Sequence, residues 1–444
     1  MSWSKQPGPN WIMCIRGIVK RMGKLRTAQN NITLWFFTAL LGAAVGIIVW
    51  CFVQVVRSYT SLLWEFLPDV TGLKFLPVII CTVGGFCMGL LRRKYGDYPE
   101  ELPVVLGKIK RQKHYDYHPM LVMIVCAMIP LVFGASVGPE AGLTAIIAGL
   151  CYWIGDNVKY AKEHTAEYSE VGAAVTLGSL FHMPLFGIFA MEEEPAVDTK
   201  GDSTGTSEPK KAAPVLSKTT KLLLYGLSVA SAFLVMKGLG VLIRPASEGF
   251  PSFEEAGISG ADYALMLLYI PIGLIVYLLY VGTIKGAGMT AKHIPVVLKE
   301  TICGLCVGLV ALAAPMVLFS GEEELERLPD TFTTYAPMVL VGIGLLKVIM
   351  TAFCIEFGLK GGHFFPLIFA CSCVGFGISM LFFPTSFDHA VFAAAIVTAA
   401  TLGAQMKKPF AVSMLLLLCF PFRVVLWIFL AAVVGGKVGS RLHF

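Results

Sequence analysis

The sequence predicts an all-α membrane protein that crosses the bilayer many times. Hydrophobic residues make up 56% of the 444 residues and charged residues only 14%, and the mean hydropathy is +0.73. A soluble domain carries far more charge. Apolar residues also form long runs, such as 32–56 and 263–281, that match the thickness of the hydrocarbon core. Since backbone in lipid must satisfy its own hydrogen bonds, we expect these runs to be helices.

The basic residues lie mainly in the connections and predict the orientation of the chain. Residues 1–31 contain six basic residues and no acid, and a second basic group follows the second apolar run at Arg92, Arg93 and Lys94. Basic loops stay on the cytoplasmic side. We therefore expect a multi-pass protein of the cell membrane with a cytoplasmic N-terminus. Nucleic-acid binding is not expected, because it needs a basic face on a soluble module.

A polar segment divides the chain into two membrane halves. Residues 195–219 are rich in Pro, Ser, Thr, Gly and Lys, which is typical of a flexible linker. The predicted organisation is a basic segment at 1–31, a first membrane half at 32–194, this linker, and a second half at 220–444. No cofactor or metal site is expected, since Cys303 and Cys306 lack the second pair that a metal site needs.

The two halves show signs of a repeat. A helix start at Glu140 is followed 44 residues later by Pro184, and a similar start at Phe364 is followed 45 residues later by Pro409. Glycine and proline break the apolar pattern near each of these positions. Broken helices at matching places in two halves are typical of transporters, in which the binding site lies between the halves.

Glu140 is the most informative residue of the chain. It lies in Gly138-Pro139-Glu140-Ala141-Gly142, at the start of an apolar helix. The N-terminus of a helix attracts anions through its dipole and its unpaired N–H groups, so a carboxylate at this place can occupy an anion site. An acid inside a membrane indicates a functional role. The alternative is an acid that only caps the helix.

Three further features point to the same region. Gly361-Gly362-His363-Phe364-Phe365-Pro366 opens a second apolar helix and would present backbone amides from the other half, unless it is a plain turn. His363 taken alone fits a packed residue better than a ligand. Three acids, Glu192, Glu193 and Glu194, close the helix that follows Pro184 and could pass protons. Glu356 either lines the pathway or pairs with Lys360 at the i,i+4 spacing.

On these residues the sequence resembles the CLC family of chloride channels and chloride/proton antiporters. Gly138 to Gly142 is similar to the family's G-[KR]-E-G-P signature, and Gly362 to Pro366 matches its G-x-F-x-P signature. The segment 183–194 resembles N-A-P-L-A-G-x-L-F-x-x-E-E. The resemblance covers most of residues 33–442.

The resemblance implies a homodimer in membrane lipid, in which each subunit has its own pathway. Each subunit would hold two inverted halves whose broken helices meet at a central anion site. Glu140 would be the gating carboxylate that competes with chloride, and Glu193 or Glu194 would belong to the internal proton path. The implied anion-binding residues are Gly138, Gly362, His363, Phe364 and Phe365.

The sequence departs from the family pattern at two places in the pore. Residues 99–103 stand where the family has G-S-G-I-P, and they lack its serine. The place of the family's inner-pore tyrosine falls near Ser440. Glu100, Glu356 and Ser440 are therefore the candidate pore-lining residues.

These patterns lead to three functional hypotheses. In the first two the protein is a transport protein and not an enzyme. The first is chloride transport, as a voltage-gated-type channel or as a proton-coupled antiporter, and the acids at Glu140 and in 193–194 favour coupling. The second is fluoride-selective antiport, because fluoride members also depart at the central serine. The third is an intramembrane serine hydrolase, in which Ser136 lies in a G-x-S-x-G motif and His182 serves as the base.

Overall fold

The structure, a computed structural model, describes residues 11–100, 117–157, 218–243, 252–253 and 258–442. Within these residues the regular structure is helical, and the β-type pairing consists of one isolated bridge. This confirms the all-α class that the composition predicts.

Five helices form the described part of the N-terminal half. A π-helical turn, Leu62–Phe66, continues the first of them. The helices are α1 Trp11–Ser61, α2 Leu67–Thr71, α3 Leu76–Tyr95, α4 Met120–Val132 and α5 Glu140–Asn157. Because α1 runs unbroken through residues 31 and 32, the predicted boundary between the basic segment and the first membrane half lies inside one helix.

Nine helices form the described part of the C-terminal half. Short 3₁₀ turns at Pro315–Val317, Phe332–Thr334 and Phe422–Val424 link some of them. The helices are α6 Lys218–Leu242, α7 Gly260–Ala291, α8 Val296–Ala313, α9 Glu322–Thr331, α10 Pro337–Glu356, α11 Phe364–Met380, α12 Phe387–Met406, α13 Pro409–Leu416 and α14 Val425–Arg441.

Eight helical segments of the described chain are long and apolar enough to cross a membrane. They include α3, α7, α8, α10 and α12. A span needs about 20 predominantly apolar residues, and these segments provide them. The multi-pass architecture predicted from the apolar runs is therefore confirmed.

Three apolar helices are shorter than a span, and two of them begin at the predicted breaks. The short segments are Met120–Val132, Glu140–Leu150 and Phe364–Met380. α11 is buried along nearly its whole length and packs between α10 and α12. Because a helix end within a membrane protein needs protein partners for its free N–H groups, the start of α11 must be satisfied from inside the fold.

The predicted helix starts coincide with observed ones where the structure describes them. Glu140 is the first residue of α5, Phe364 the first of α11 and Pro409 the first of α13. Pro184 lies outside the described residues. Proline suits the first helical position because its missing N–H would have no partner there.

α3 and α8 approach closely through glycines. A Cβ added to Gly85 would overlap the carbonyl of Glu300, and one added to Gly304 would overlap the carbonyl of Cys81. Small residues allow this close helix packing in membranes. The contact places Arg92, in the last turn of α3, beside the first half of α8.

Candidate functional site

Two glycine-rich segments, one from each half, join at a short backbone bridge. The amide of Gly138 donates to the carbonyl of Gly362 at 2.8 Å, and the amide of Gly362 donates to the carbonyl of Gly138 at 2.7 Å. Each glycine precedes a helix start by two residues. The bridge therefore holds the N-termini of α5 and α11 next to each other.

The Glu140 carboxylate lies between these two helix starts. Its side chain is buried, and Oε1 accepts a hydrogen bond of 2.8 Å from the backbone amide of Phe364. The next amide of α11, that of Phe365, also faces the carboxylate. The acid that opens the helix of one half thus occupies the N-terminus of the helix of the other half, where free N–H groups and the helix dipole favour negative charge.

Glycine at positions 138 and 362 leaves room for this carboxylate. A Cβ added to either residue would overlap the carboxyl group of Glu140. The second carboxylate oxygen, Oε2, lies on the Gly138 side and has no hydrogen-bond partner among the described residues. The backbone of both halves therefore forms a close-fitting seat for an anionic group.

A cavity of about 140 Å³ adjoins the carboxylate. Its polar lining consists of Glu140, Tyr280, Glu356, His363 and Gln405. A water molecule takes up about 30 Å³ in the liquid, so the cavity has room for a few waters. The site is thus an amide-lined seat next to a small polar chamber.

The chain matches the family described as voltage gated chloride channel over residues 84–440. This region includes both glycine-rich segments and the bridge between them. The chain belongs to the CLC family.

Relatives and solved structures agree with this membership. The chloride channel protein CLC-e of Arabidopsis thaliana is 25% identical over 366 residues, which are 76% of this chain and 48% of that protein. The chain thus spans about half the length of this CLC relative.

Two solved CLC structures share the fold. The crystal structure of a CLC-type fluoride/proton antiporter superposes with a TM-score of 0.70 at 19% identity, over 92% of this chain and 96% of that chain. The structure of a slow cyanobacterial Cl⁻/H⁺ antiporter superposes with a TM-score of 0.72 at 16% identity, over 92% and 94% of the two chains. Together with the helical architecture, they confirm the predicted CLC-like fold.

Most of the predicted anion-binding residues meet at one place in this CLC protein. Gly138 and Gly362 form the bridge, and Phe364 and Phe365 present their amides to Glu140. His363 is the N-cap residue of α11, but its side chain makes no capping bond. Its ring packs instead against Tyr280 and Phe364, with centroids 5.9 Å and 4.6 Å away, and it lines the cavity.

Of the remaining predicted site residues that the structure describes, one lies near this place and two do not. Glu356 lines the cavity, whereas Glu100 and Ser440 are absent from its lining. The Ser440 hydroxyl donates to the carbonyl of Lys437 on its own helix. Glu193 and Glu194 lie outside the described residues.

The serine of the G-x-S-x-G motif is packed against a helix. The Ser136 hydroxyl is buried and lies 3.2 Å from the hydroxyl of Thr351 on α10. His182, the proposed base, lies outside the described residues. The contact with Thr351 is a hydrogen bond between two elements of the core.

A buried ion pair under the second glycine-rich segment was missed by sequence reasoning. Arg92 of α3 pairs with Glu300 of α8 and also with Asp97, and Lys360 donates to Asp97 at 2.8 Å. Glu300 is fully buried, and a Cβ on Gly358 would overlap both Arg92 and Glu300. These charges hold the segment that leads to Phe364. No local pattern could reveal a pair 208 residues apart.

A second buried charge, Lys347, was also missed. Its ammonium group donates to the carbonyls of Val317, Leu318 and Phe319 at 2.8–2.9 Å. A lysine with three donors is fully satisfied by three carbonyls. Phe319 in turn packs on Trp64. The only sequence signal was a single basic residue in an apolar helix, which is rare without a partner.

Proposed function

We propose that this CLC protein transports anions across the membrane and that Glu140 is its gate. The observation that carries the proposal is the hydrogen bond from the Phe364 amide to the Glu140 carboxylate. A helix N-terminus is a ready anion site, so a carboxylate seated there occupies the place of a small anion. The name of the Arabidopsis relative, a chloride channel protein, supports the same function.

Gating follows from competition between the carboxylate and the anion for the same amides. An ionised Glu140 keeps the seat filled, because hydrogen bonds to an ionised group are roughly twice as strong as neutral ones. Protonation removes the charge and weakens these bonds. The side chain then leaves the seat, and an anion can bind the amides of Phe364 and Phe365.

Proton-coupled antiport is favoured over a channel. In this scheme Glu140 releases its proton each time it returns to the seat, so proton movement and anion movement are linked. The two solved structures described above are those of proton antiporters, which supports coupling. Glu193 or Glu194 remains our proposal for part of the internal proton path.

Chloride is the first candidate anion, because the matching family and the Arabidopsis relative are both described as chloride channels, and fluoride is the second. The departure at residues 99–103, where the family's serine is missing, favours fluoride. The seat itself consists of backbone amides, which bind any small anion. The comparison of chloride and fluoride flux in liposomes therefore decides which anion is transported.

We further propose a homodimer in the cell membrane with its N-terminus in the cytoplasm. The basic N-terminal segment precedes the first span, and Arg92, Arg93 and Lys94 end the second. Because two consecutive spans return the chain to its starting side, both basic groups lie on one side of the membrane. Basic connections favour the cytoplasmic side.

The test is a flux measurement on the purified protein in liposomes. Chloride-loaded and fluoride-loaded vesicles would be diluted into salt-free buffer with a potassium ionophore, while an anion electrode and a pH electrode record together. We expect anion efflux with proton uptake in fixed proportion. Anion efflux without proton movement would contradict antiport, and the absence of both would contradict transport. The larger of the two anion fluxes identifies the anion.

A further inference from the structure

We infer that Glu356 is a proton-carrying carboxylate that exchanges protons with Glu140 through water in the cavity they share. The inference deepens the proposed antiport and rests on it. It assigns to Glu356 a role in proton transfer and none in holding the anion.

Glu356 and Glu140 reach the cavity from opposite elements. Glu356 is the last residue of α10, and Glu140 is the first residue of α5. Both carboxyl groups line the same space of about 140 Å³. The two residues are 216 positions apart in the sequence.

The lining suits a short chain of hydrogen-bonded waters. Tyr280 and Gln405 supply groups that both donate and accept hydrogen bonds, and His363 supplies ring nitrogens. A few waters fit the volume, since each takes up about 30 Å³. Chains of acids and histidines of this kind carry protons in membrane pumps and transporters.

α7 leaves space for the Glu356 carboxylate. A Cβ added to Gly288 would lie 2.9 Å from Glu356 Oε2. The carboxylate therefore lies directly against a part of α7 that has no side chain. Tyr280, two turns earlier on the same helix, lines the cavity.

Charged groups also lie near Glu356. Lys299 of α8 is within electrostatic range of Glu356, Arg92, Glu300 and Lys360. These groups lie at the end of α3 that carries the basic segment, which we place on the cytoplasmic side. Glu356 is only partly buried and lines the cavity, so it lies between this charged region and the cavity next to Glu140.

The proton transfer needs no other reactant. The protonated Glu356 carboxyl gives its proton to the first water, the last water gives a proton to the Glu140 carboxylate, and Glu356 is left ionised. Neutral Glu140 then leaves the amides. Glu356 then takes a proton from the cytoplasmic solution, which reaches it through the charged region that contains Lys299 and Lys360.

The experiment measures proton and anion flux of the Glu356→Gln variant in liposomes. We expect proton flux to fall by about tenfold or more, as for loss of a proton-transfer group, with anion flux close to that of the wild type. Antiport requires Glu140 to exchange protons with the opposite solution as well, so that solution can still protonate Glu140 and free the amides for the anion. Glu326→Gln is the matched control, because Glu326 is exposed on α9 and does not line the cavity. The control variant should keep both fluxes.

The possible outcomes separate this inference from the proposed function. Wild-type coupling in Glu356→Gln would overturn the role of Glu356 and leave antiport intact. Anion flux without proton flux in the wild type would overturn both. A parallel loss of both fluxes in a folded variant would show a structural role, such as pairing with Lys360, and would also overturn the inference. If Glu356→Gln does not purify as a folded protein, Glu356→Met is measured in the same way and judged by the same outcomes.

Discussion

The backbone amide of Phe364 donates a 2.8 Å hydrogen bond to the carboxylate of Glu140, 224 residues earlier in the chain. Each of the two residues is the first of its helix. The contact explains how the buried start of α11 is satisfied and why the Glu140 carboxylate is stable within a membrane. It also links the two halves at the place where the proposed function needs them to meet.

Gly362→Ala tests the fit of the carboxylate seat. The added methyl group would overlap the Glu140 carboxyl, and overpacking of this kind costs about 1–3 kcal/mol. The methyl group takes up space that the carboxylate and a bound anion would share, so we expect the anion to bind more weakly and anion flux in liposomes to fall by about tenfold or more, since 1.4 kcal/mol of lost binding corresponds to a factor of ten. Gly342→Ala is the control, because a Cβ there meets nothing within 4 Å. Equal fluxes of the two variants would contradict the proposed seat.

Arg92→Met tests the ion pair under the second glycine-rich segment. Removing the guanidinium leaves Glu300 buried without its partner, a change that typically costs about 3–5 kcal/mol. We expect a clear drop in the apparent unfolding temperature, which size-exclusion chromatography of heated samples measures. The neighbouring Arg93 is exposed, so Arg93→Met should behave like the wild type. A stable Arg92→Met protein would show that the pair contributes little.

Lys347→Met tests the buried ammonium group. The substitution leaves three buried carbonyls without a donor, and each unsatisfied group costs about 1–3 kcal/mol. We expect the same thermal assay to show strong destabilisation. Lys437 is exposed on α14, and Lys437→Met should have no such effect. Matching unfolding curves for the two variants would mean that water replaces the ammonium at the three carbonyls.

The reactivity of the Ser136 hydroxyl distinguishes the transport hypothesis from the hydrolase hypothesis. Its hydroxyl is buried and contacts Thr351, so a fluorophosphonate probe should not label it in the folded protein. Ser136→Ala should also keep anion flux. Covalent labelling at Ser136, detected by mass spectrometry, would support the hydrolase hypothesis instead.

The sequence predicted the helix starts at the site because local chemistry determines them. Glycine and proline break the apolar pattern before Glu140 and before Phe364, and both breaks are observed as helix N-termini. The G-x-F-x-P match contains Phe364 and Phe365, whose amides lie at the Glu140 carboxylate in the structure. These features depend on neighbours in sequence and are therefore readable from it.

The buried charges were not predictable in the same way. Glu300, the buried partner of Arg92, lies 208 residues away in sequence, and the partners of Lys347 are backbone carbonyls. Neither arrangement leaves a periodic signal. The predicted boundary at residue 31 coincides with no helix end, for a related reason. Helix formation is cooperative, so α1 extends from the apolar run through the basic residues, and a change in charge does not end it.

The pH dependence of anion flux through the Glu140→Gln variant tests the central claim most directly. Glutamine has nearly the same size but cannot ionise, so it cannot alternate between a charged and a neutral state. We expect wild-type flux to rise as the pH falls, because protonation releases the seat, and we expect the flux of the variant to be independent of pH and uncoupled from protons. A variant that keeps the pH dependence and proton coupling of the wild type would contradict the account.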